Sequence, residues 1–391
     1  MASTIISKEL EKRIFLVAGE PSGDQLGAGL MASLQKQFGK SPSFLGVGGE
    51  QMASEGLKSL FPMSDLSIMG LVEVLPRISL LRQRLRETAD EIRRVNPDVL
   101  ITIDSPGFNF RLIELLQDLN FPKIHYVAPT VWAWRPSRAK KMSKFYDHLM
   151  VLLPFEPQYF NYDNMKCTFV GHPVTEELPE RLGAEFREKE DISERTILGV
   201  FPGRRKTEVL RMLPVFEKAV KQLSVNFPEL KIVITTIPHL SSLVRSMTSS
   251  WSLNVILVDS FSERKGAQKA CNVALAASGT ITTELAAAKV PVIVGYKVAP
   301  ITAFIARRLL KVSYVSLLNI AVGRRVLPEF LQQECSPRKL SDAITELLLD
   351  KTRRENQISE QLLALKELNS GAESGYSKAA AIVKNAVLTN K

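Results

Sequence analysis

The sequence predicts an α/β protein of two Rossmann-like, doubly wound domains facing across a cleft, with a helical C-terminal tail. Short β-rich runs alternate with helix-length segments along most of the chain, and near-continuous apolar strands of this kind form parallel sheets covered on both faces. The length of 391 residues exceeds one ordinary domain. A charged stretch over 175–195, with Pro179 and Gly183, follows Gly171-His172-Pro173 and suits an inter-domain linker.

The strands expected in the first half are Ile14–Ala18, Phe44–Val47, Val99–Ile103, Ile124–Val127 and Leu149–Leu152. In the second half they are Ile197–Phe201, Lys231–Thr235, Val255–Val258, Val273–Ala276 and Val290–Val294. From Ser336-Pro337, a helix start with proline in first position, the chain reads as helices only, and Leu347, Leu348, Ile358, Leu362 and Leu363 recur at helical spacing. The expected division is 1–175, 176–350 and a tail over 351–391. The tail either packs back on the first domain or exchanges with a partner subunit. Ligands of doubly wound sheets lie beyond the carboxyl ends of the strands, so the loops after each strand are where chemistry is expected.

With 45% hydrophobic and 24% charged residues the chain can bury full cores, and disorder is poorly supported. A net charge of +10 favours acidic partners: nucleic acid, anionic lipid or a phosphorylated substrate. The three cysteines, Cys167, Cys271 and Cys335, lack metal-site or disulfide spacing and read as reduced thiols of a cytosolic protein. The apolar run Ile14–Ala18 is too short for a signal sequence, and Val273–Tyr296 is interrupted by Glu284 and Lys289. A membrane, if met, is met from its surface.

Four strand-end loops carry the candidate chemistry. Gly19-Glu20-Pro21-Ser22-Gly23-Asp24 opens a helix whose N-terminus and small residues suit an anionic substrate; a tight turn capped by Ser22 is the alternative. Glu20 argues against a purely phosphate-binding loop, and neither G-x-G-x-x-G nor G-x-x-x-x-G-K-[ST] occurs. Asp104, in Ile103-Asp104-Ser105-Pro106-Gly107-Phe108-Asn109, is either a general base for a hydroxyl or the cap of the next helix. His125 lies inside a strand and reads as structural, while Trp132 and Trp134 either stack on a sugar or pack between helices.

In the second half, Gly203-Arg204-Arg205-Lys206 puts three cations at a glycine turn and a helix start. Consecutive helical positions diverge by about 100°, so one arginine is expected inward and the others in solvent. Ser278-Gly279-Thr280 offers donors to a diphosphate, and Glu284, one turn into the helix, can accept ribose hydroxyls or simply favour the helix dipole. An apolar stretch with Met69, Leu71, Val72 and Leu75 precedes a helix bearing Arg77, Arg82, Arg84 and Arg86. It suits an anionic-lipid surface or a buried helix with a solvated basic face, and Phe304–Lys311 carries the same ambiguity.

At these loops the chain resembles the lipid-A-disaccharide synthase family of Gram-negative outer-membrane biosynthesis, nearly end to end. The matching motifs include GEPSGD (Gly19–Asp24), GVGG (Gly46–Gly49), MGLVEVL (Met69–Leu75), IDSPGFN (Ile103–Asn109), HYVAPTVWAW (His125–Trp134) and LPFE (Leu153–Glu156). Further on come FVGHP (Phe169–Pro173), FPGRR (Phe201–Arg205), ASGTITTE (Ala277–Glu284), YVSLLN (Tyr314–Asn319) and QQEC (Gln332–Cys335).

The resemblance implies the GT-B glycosyltransferase fold, with an acceptor- and membrane-facing first domain and a UDP-sugar-binding second domain. The implied reaction is inverting transfer from UDP-2,3-diacylglucosamine to 2,3-diacylglucosamine 1-phosphate, giving a β-1,6-linked disaccharide and UDP at the cytoplasmic face of the inner membrane. It implies Asp104 as base and Arg205 as the cation offsetting charge on the departing UDP. It also implies a donor pocket of Gly203, Ser278, Gly279, Thr280, Glu284 and Asn319, and an acceptor loop of Gly19, Glu20, Ser22, Gly23 and Asp24. Met69, Leu71, Val72, Leu75, Arg82 and Arg86 would face acyl chains and membrane.

No D-x-D pair is placed to hold a metal, and no cofactor is expected. The family commonly has serine at Arg204, an acid at Gly107 and proline at Leu318, so charge near the leaving group and local loop geometry differ here. A homodimer is one option for the tail. A UDP-sugar 2-epimerase of the same fold is the rival enzyme; nucleic acid is not an expected partner, since the cations gather at cleft loops and no zinc finger, helix-turn-helix or RNA-binding signature occurs.

Overall fold

The structure is a computed structural model that describes residues 12–66, 77–132, 137–172, 178–251, 253, 255–299, 303, 314–369, 371 and 373–389. The chain divides into two compact units, Met1–Pro173 with Ser370–Lys391, and Val174–Asn369.

The first unit runs β1 (Arg13–Ala18), α1 (Pro21–Gln37), β2 (Ser43–Val47), α2 (Glu50–Ser54), β3 (Lys58–Ser59), α3 (Ile78–Val95), β4 (Val99–Ile103), α4 (Pro106–Glu114), β5 (Lys123–Tyr126), α5 (Ser137–Met142), β6 (His148–Val151) and β7 (Lys166–Phe169). Its seven strands are all parallel, in the order β3-β2-β1-β4-β5-β6-β7. The strand period of two divides β1 between two cores. Ile14, Leu16 and Ala18 face α1 and the C-terminal helix Gly375–Thr389, whereas Phe15 and Val17 join Ile92, Leu112 and Ile113.

The second unit continues with α6 (Glu180–Lys189), β8 (Ile197–Phe201), α7 (Lys206–Asn226), β9 (Lys231–Thr235), α8 (Ser241–Thr248), β10 (Val255–Val258) and α9 (Phe261–Ala270). It is completed by β11 (Val273–Ala276), α10 (Ile281–Ala287), β12 (Val292–Tyr296), α11 (Leu317–Val322), β13 (Glu329–Leu331), α12 (Pro337–Leu349) and α13 (Lys351–Glu367). Six parallel strands lie in the order β10-β9-β8-β11-β12-β13. Ser336 caps α12, its hydroxyl accepting from Lys339 N ahead of Pro337, as the sequence leads one to expect. Among the described residues no helix is long and apolar enough to cross a membrane.

Several boundaries differ from the sequence reading. The stretch read as linker contains α6, whose Gly183 and Phe186 are buried; a Cβ on Gly183 would lie 3.1 Å from the Lys269 backbone, so the glycine permits close packing on α9. The helix α13 belongs to the second unit, where Gln361 accepts from Val292 N (3.2 Å) and donates to Val290 O (2.9 Å). The return to the first unit therefore begins near residue 370 and not at 351. There the C-terminal helix buries Ala379, Ala380, Val383 and Val387, and Gly29 of α1 leaves room for the Tyr376 ring. The edge strands β3, β7 and β13 are short and half polar, and lack an apolar run to announce them.

Two buried carboxylates fix loops of the first unit. Asp24, 3% exposed, accepts from Gly49 N (2.8 Å), Met52 N (3.0 Å) and Gln51 N (3.1 Å), and so caps α2 from α1. A Cβ on Gly49 would stand 2.6 Å from the carboxylate, which explains glycine there. Burial pushes the Asp24 pKa up, and the three N–H donors oppose that shift. After β6, Glu156 accepts from Leu152 N (3.2 Å), Leu153 N (3.0 Å) and Trp132 Nε1 (3.2 Å). Its burial pushes the pKa up to about 7 against those donors.

Asp24→Ala should destabilise the first unit by about 2–4 kcal/mol, because three buried amides lose their acceptor, and Asp24→Asn by less. Urea unfolding, with hydrogen exchange at Gly49, Gln51 and Met52, measures both. Raised above the ordinary 4.5, the Glu156 pKa implies stability that is full below that value and lost as pH rises through about 7. With Trp134 and Trp251 replaced by Phe, Trp132 emission should titrate near pH 7, and Glu156→Gln should flatten the curve.

Candidate functional site

In each sheet the strand order reverses once, between β1 and β4 and between β8 and β11, and a crevice opens beyond the carboxyl ends at such a reversal. The four loops singled out in the sequence are the loops at these two points.

In the first unit the β1 and β4 loops abut: a Cβ on Gly19 would lie 2.6 Å from Ser105 Oγ. Glu20 is the N-cap residue of α1, with extended backbone, and Pro21 follows in first position. Ser22 is thus inside the helix and does not cap it. Gly23 is buried against Ala18 and Ile103. Asp24 is turned away to α2, so the structure separates it from the other acceptor-loop residues.

Asp104 and Ser105 both adopt left-handed backbone, with φ of 49° and 45°, at about 1–3 kcal/mol each for non-glycine residues. The turn is held by its surroundings. Asp104 N donates to Tyr126 O (2.9 Å), and the buried Asn109 donates to Asp104 O (2.7 Å) and Ile103 O (3.3 Å). The N-cap of α4 is Ser105, one residue beyond Asp104. Asp104 therefore directly follows β4, half-buried, at the crevice of its own unit. His125 is fully buried, with Nδ1 2.7 Å from Thr102 Oγ1, and burial pushes its pKa down to about 3. It is a neutral core histidine.

On α3, Arg82 and Arg86 are exposed one turn apart, whereas Arg84 turns inward to Asp65 (2.8 Å), Glu87 (2.7 Å) and the Phe61 ring. Met69, Leu71, Val72 and Leu75 lie outside the described residues, as do Trp134 and the whole of the Phe304–Lys311 segment.

In the second unit Gly203 has φ of 116°, and a Cβ there would stand 2.6 Å from Glu208 Oε2. The Glu208 carboxylate takes Arg204 N (3.2 Å) and Arg205 Nη1 (3.0 Å), so it organises the turn that launches α7. The three cations diverge. Lys206 is exposed, Arg205 lies partly exposed along the first turn of α7, and Arg204 reaches inward.

Arg204 Nη2 lies 2.5 Å from Glu284 Oε1, and Gln268 Nε2 donates to Glu284 Oε2 (2.8 Å). Burial would raise the Glu284 pKa, but the Arg204 charge and these hydrogen bonds outweigh it and hold the group anionic below its usual range. Arg264, on α9, donates to Thr236 O (3.2 Å) and sits over the Phe261 ring; burial and the neighbouring Arg204 charge bring its pKa down to about 10. Arg204 and Arg264 line a crevice with Phe201, Gly203, Thr235, Thr236, Ile237 and Ile281.

Ser278 donates to Val315 O (2.9 Å), Gly279 has φ of 156°, and Thr280 is the N-cap of α10. Asn319, expected in the donor pocket, is consumed by backbone. It donates to Leu327 O (2.9 Å) and Glu329 (2.8 Å) and accepts from Val326 N and Leu327 N (2.8 Å each). Glu329 also accepts from Ser316 N (2.9 Å) and Val315 N (3.0 Å), so Asn319 acts on Ser278 at one remove, through the 315–316 backbone.

Sequence reasoning missed Glu208, Gln268, Arg264 and Glu329. Glu208 stands three residues after Arg205, a readable helical pair; nothing in the sequence directs the other three towards these loops.

A protein-family model described as Lipid-A-disaccharide synthetase matches residues 14–383. A lipid-A-disaccharide synthase of Rhodospirillum centenum is 43% identical over 378 residues, which cover 96% of this chain and 94% of that protein. Among solved structures, UDP-GlcNAc 2-epimerase from Neisseria meningitidis bound to UDP-GlcNAc matches with a TM-score of 0.63 at 14% identity, over 96% of this chain and 100% of the other. The glycotransferase of kitacinnamycin matches with the same TM-score and identity, over 96% and 99%. At that identity these two show the fold alone, the GT-B arrangement of two α/β sheets. With the family model running from β1 into the C-terminal helix, the chain belongs to the lipid-A-disaccharide synthetase family.

Proposed function

We propose that this chain is an inverting glycosyltransferase that condenses UDP-2,3-diacylglucosamine with 2,3-diacylglucosamine 1-phosphate, giving the β-1,6-linked tetraacyl disaccharide 1-phosphate and UDP in lipid A biosynthesis. Family membership over nearly the whole chain carries the reading. The two motif residues at the heart of the family resemblance, Asp104 and Arg205, also stand at the strand-order reversals of their respective units.

In this reading the Asp104 carboxylate takes the proton of the acceptor 6-hydroxyl as its oxygen attacks the anomeric carbon. The carbon–oxygen bond to UDP breaks on the opposite face, and the configuration inverts. The strained turn at residues 104–105, tied down by Asn109 and Tyr126, aims the base before substrate arrives. Arg205 offsets charge gathering on the departing diphosphate, with Gly203, Ser278, Gly279 and Thr280 around it and Glu284 towards the ribose. Asn319 supports that pocket through the 315–316 backbone, its side chain being hydrogen-bonded to Leu327 and Glu329. Gly19, Glu20, Ser22 and Gly23 border the acceptor.

Exposed Arg82 and Arg86 would meet anionic headgroups at the cytoplasmic face of the inner membrane, beside the apolar segment containing Met69, Leu71, Val72 and Leu75. A homodimer belongs to the same proposal and is tested by light scattering. The epimerase reading shares only the fold; incorporation of radiolabelled acceptor separates the two.

The decisive assay combines purified protein with UDP-diacylglucosamine and the monophosphate acceptor, with and without EDTA, and reads the products by mass spectrometry. Asp104→Asn should lower kcat by about 10²–10⁴-fold while UDP affinity stays within about twofold of wild type. Loss of UDP binding in that variant would refute the base assignment.

A further inference from the structure

Glu284, the carboxylate proposed to hold the donor ribose, is already occupied. Its side chain is 8% exposed, with Arg204 Nη2 at 2.5 Å from one oxygen and Gln268 Nε2 at 2.8 Å from the other. Two vicinal hydroxyls have no room at such a covered group until one partner leaves. Gln268 is buried in α9 and neutral, so moving it would open the core. Arg204 is the mobile partner, with 20% of its side chain exposed and its backbone N–H fixed to Glu208 Oε2 (3.2 Å). The anchor keeps its Cα at the entrance of the 21-residue α7 whichever way the guanidinium points.

Removing the partner of a buried charge is ordinarily costly, because the charge is left uncompensated away from water. Here a second cation limits that cost, because Arg264 also acts electrostatically on Glu284 and stays in place through Thr236 O and the Phe261 ring. Two guanidinium groups beside one carboxylate also repel each other, which favours release of the more exposed one.

We infer that Arg204 is a positioning residue for the donor nucleotide: it covers Glu284 in the free protein, yields that carboxylate to the ribose hydroxyls, and turns to the diphosphate. This deepens the donor-site reading and rests on it. The exchange makes the two ends of the nucleotide interdependent. The ribose must displace a cation, and only a ligand with phosphates gives that cation a new partner. A bare nucleoside bears the displacement without the return.

Calorimetric titration of the full chain with uridine and with UDP tests the exchange. Arg204→Gln should bind uridine about threefold tighter and UDP about tenfold weaker, opposite signs that a purely structural ion pair would not produce. Arg204→Lys should recover most of the UDP affinity. Uridine binding that is unchanged or weaker in Arg204→Gln overturns the inference and leaves the donor site standing. A wild-type protein that binds neither uridine nor UDP at millimolar concentration overturns the donor-site reading itself.

Discussion

Parallel pairing of β1 with β4 and of β8 with β11 is the constraint on which the rest depends. Each pair joins strands distant in sequence, and from each pair the chain winds outwards in opposite directions. The helices on either side diverge, and the backbone leaving the two central strands has no covering element at its carboxyl end. Residues at those four strand ends are therefore presented whatever their chemistry. Asp104 and the Gly203–Lys206 turn take their place from the sheets, and their local geometry only refines it.

The refinement is done mostly by buried and half-buried carboxylates acting on backbone amides. Asp24 holds the start of α2, Glu156 closes the turn after β6, Glu208 shapes the β8 turn, and Glu329 gathers the 315–316 backbone. In each case a carboxyl group meets N–H groups that no helix or sheet satisfies, an interaction that is strongest where the group is ionised. Glycines let the carboxylates come close, as Gly49 does for Asp24 and Gly203 for Glu208. At Asp104 the backbone is fastened by Asn109 and Tyr126, and the residue is half-buried.

The sequence revealed what depends on pattern. Central strands buried on both faces are apolar throughout, so β1, β4, β8 and β11 were legible to within about two residues. Once the strands were placed, their loops followed; Arg204, Arg205 and Lys206 do diverge, but only Lys206 is helical, and the extended backbone at Arg205 rather than helical spacing sets the first two apart. Side-chain destinations were less legible. The family resemblance placed Asp24 and Asn319 at the substrate, but their side-chain polar atoms are hydrogen-bonded within the protein to partners some distance along the chain. No local pattern encodes such a pairing. Polar segments misled for a related reason: α6 buries only one face, and α13 is joined to β12 by glutamines, so neither shows the apolar density by which a core element is recognised.

The return of the C-terminal helix to α1 bears on how the molecule is made. During synthesis the whole of Val174–Asn369 emerges before Ala379, Ala380, Val383 and Val387 do. Until then the face of α1 around Leu26, Leu30 and Gly29 has nothing from the chain's end to cover it. The first unit is thus completed only after the second has been made, and a ribosome that halts before the 375–389 helix leaves the second unit able to fold while α1 is bare along one apolar face.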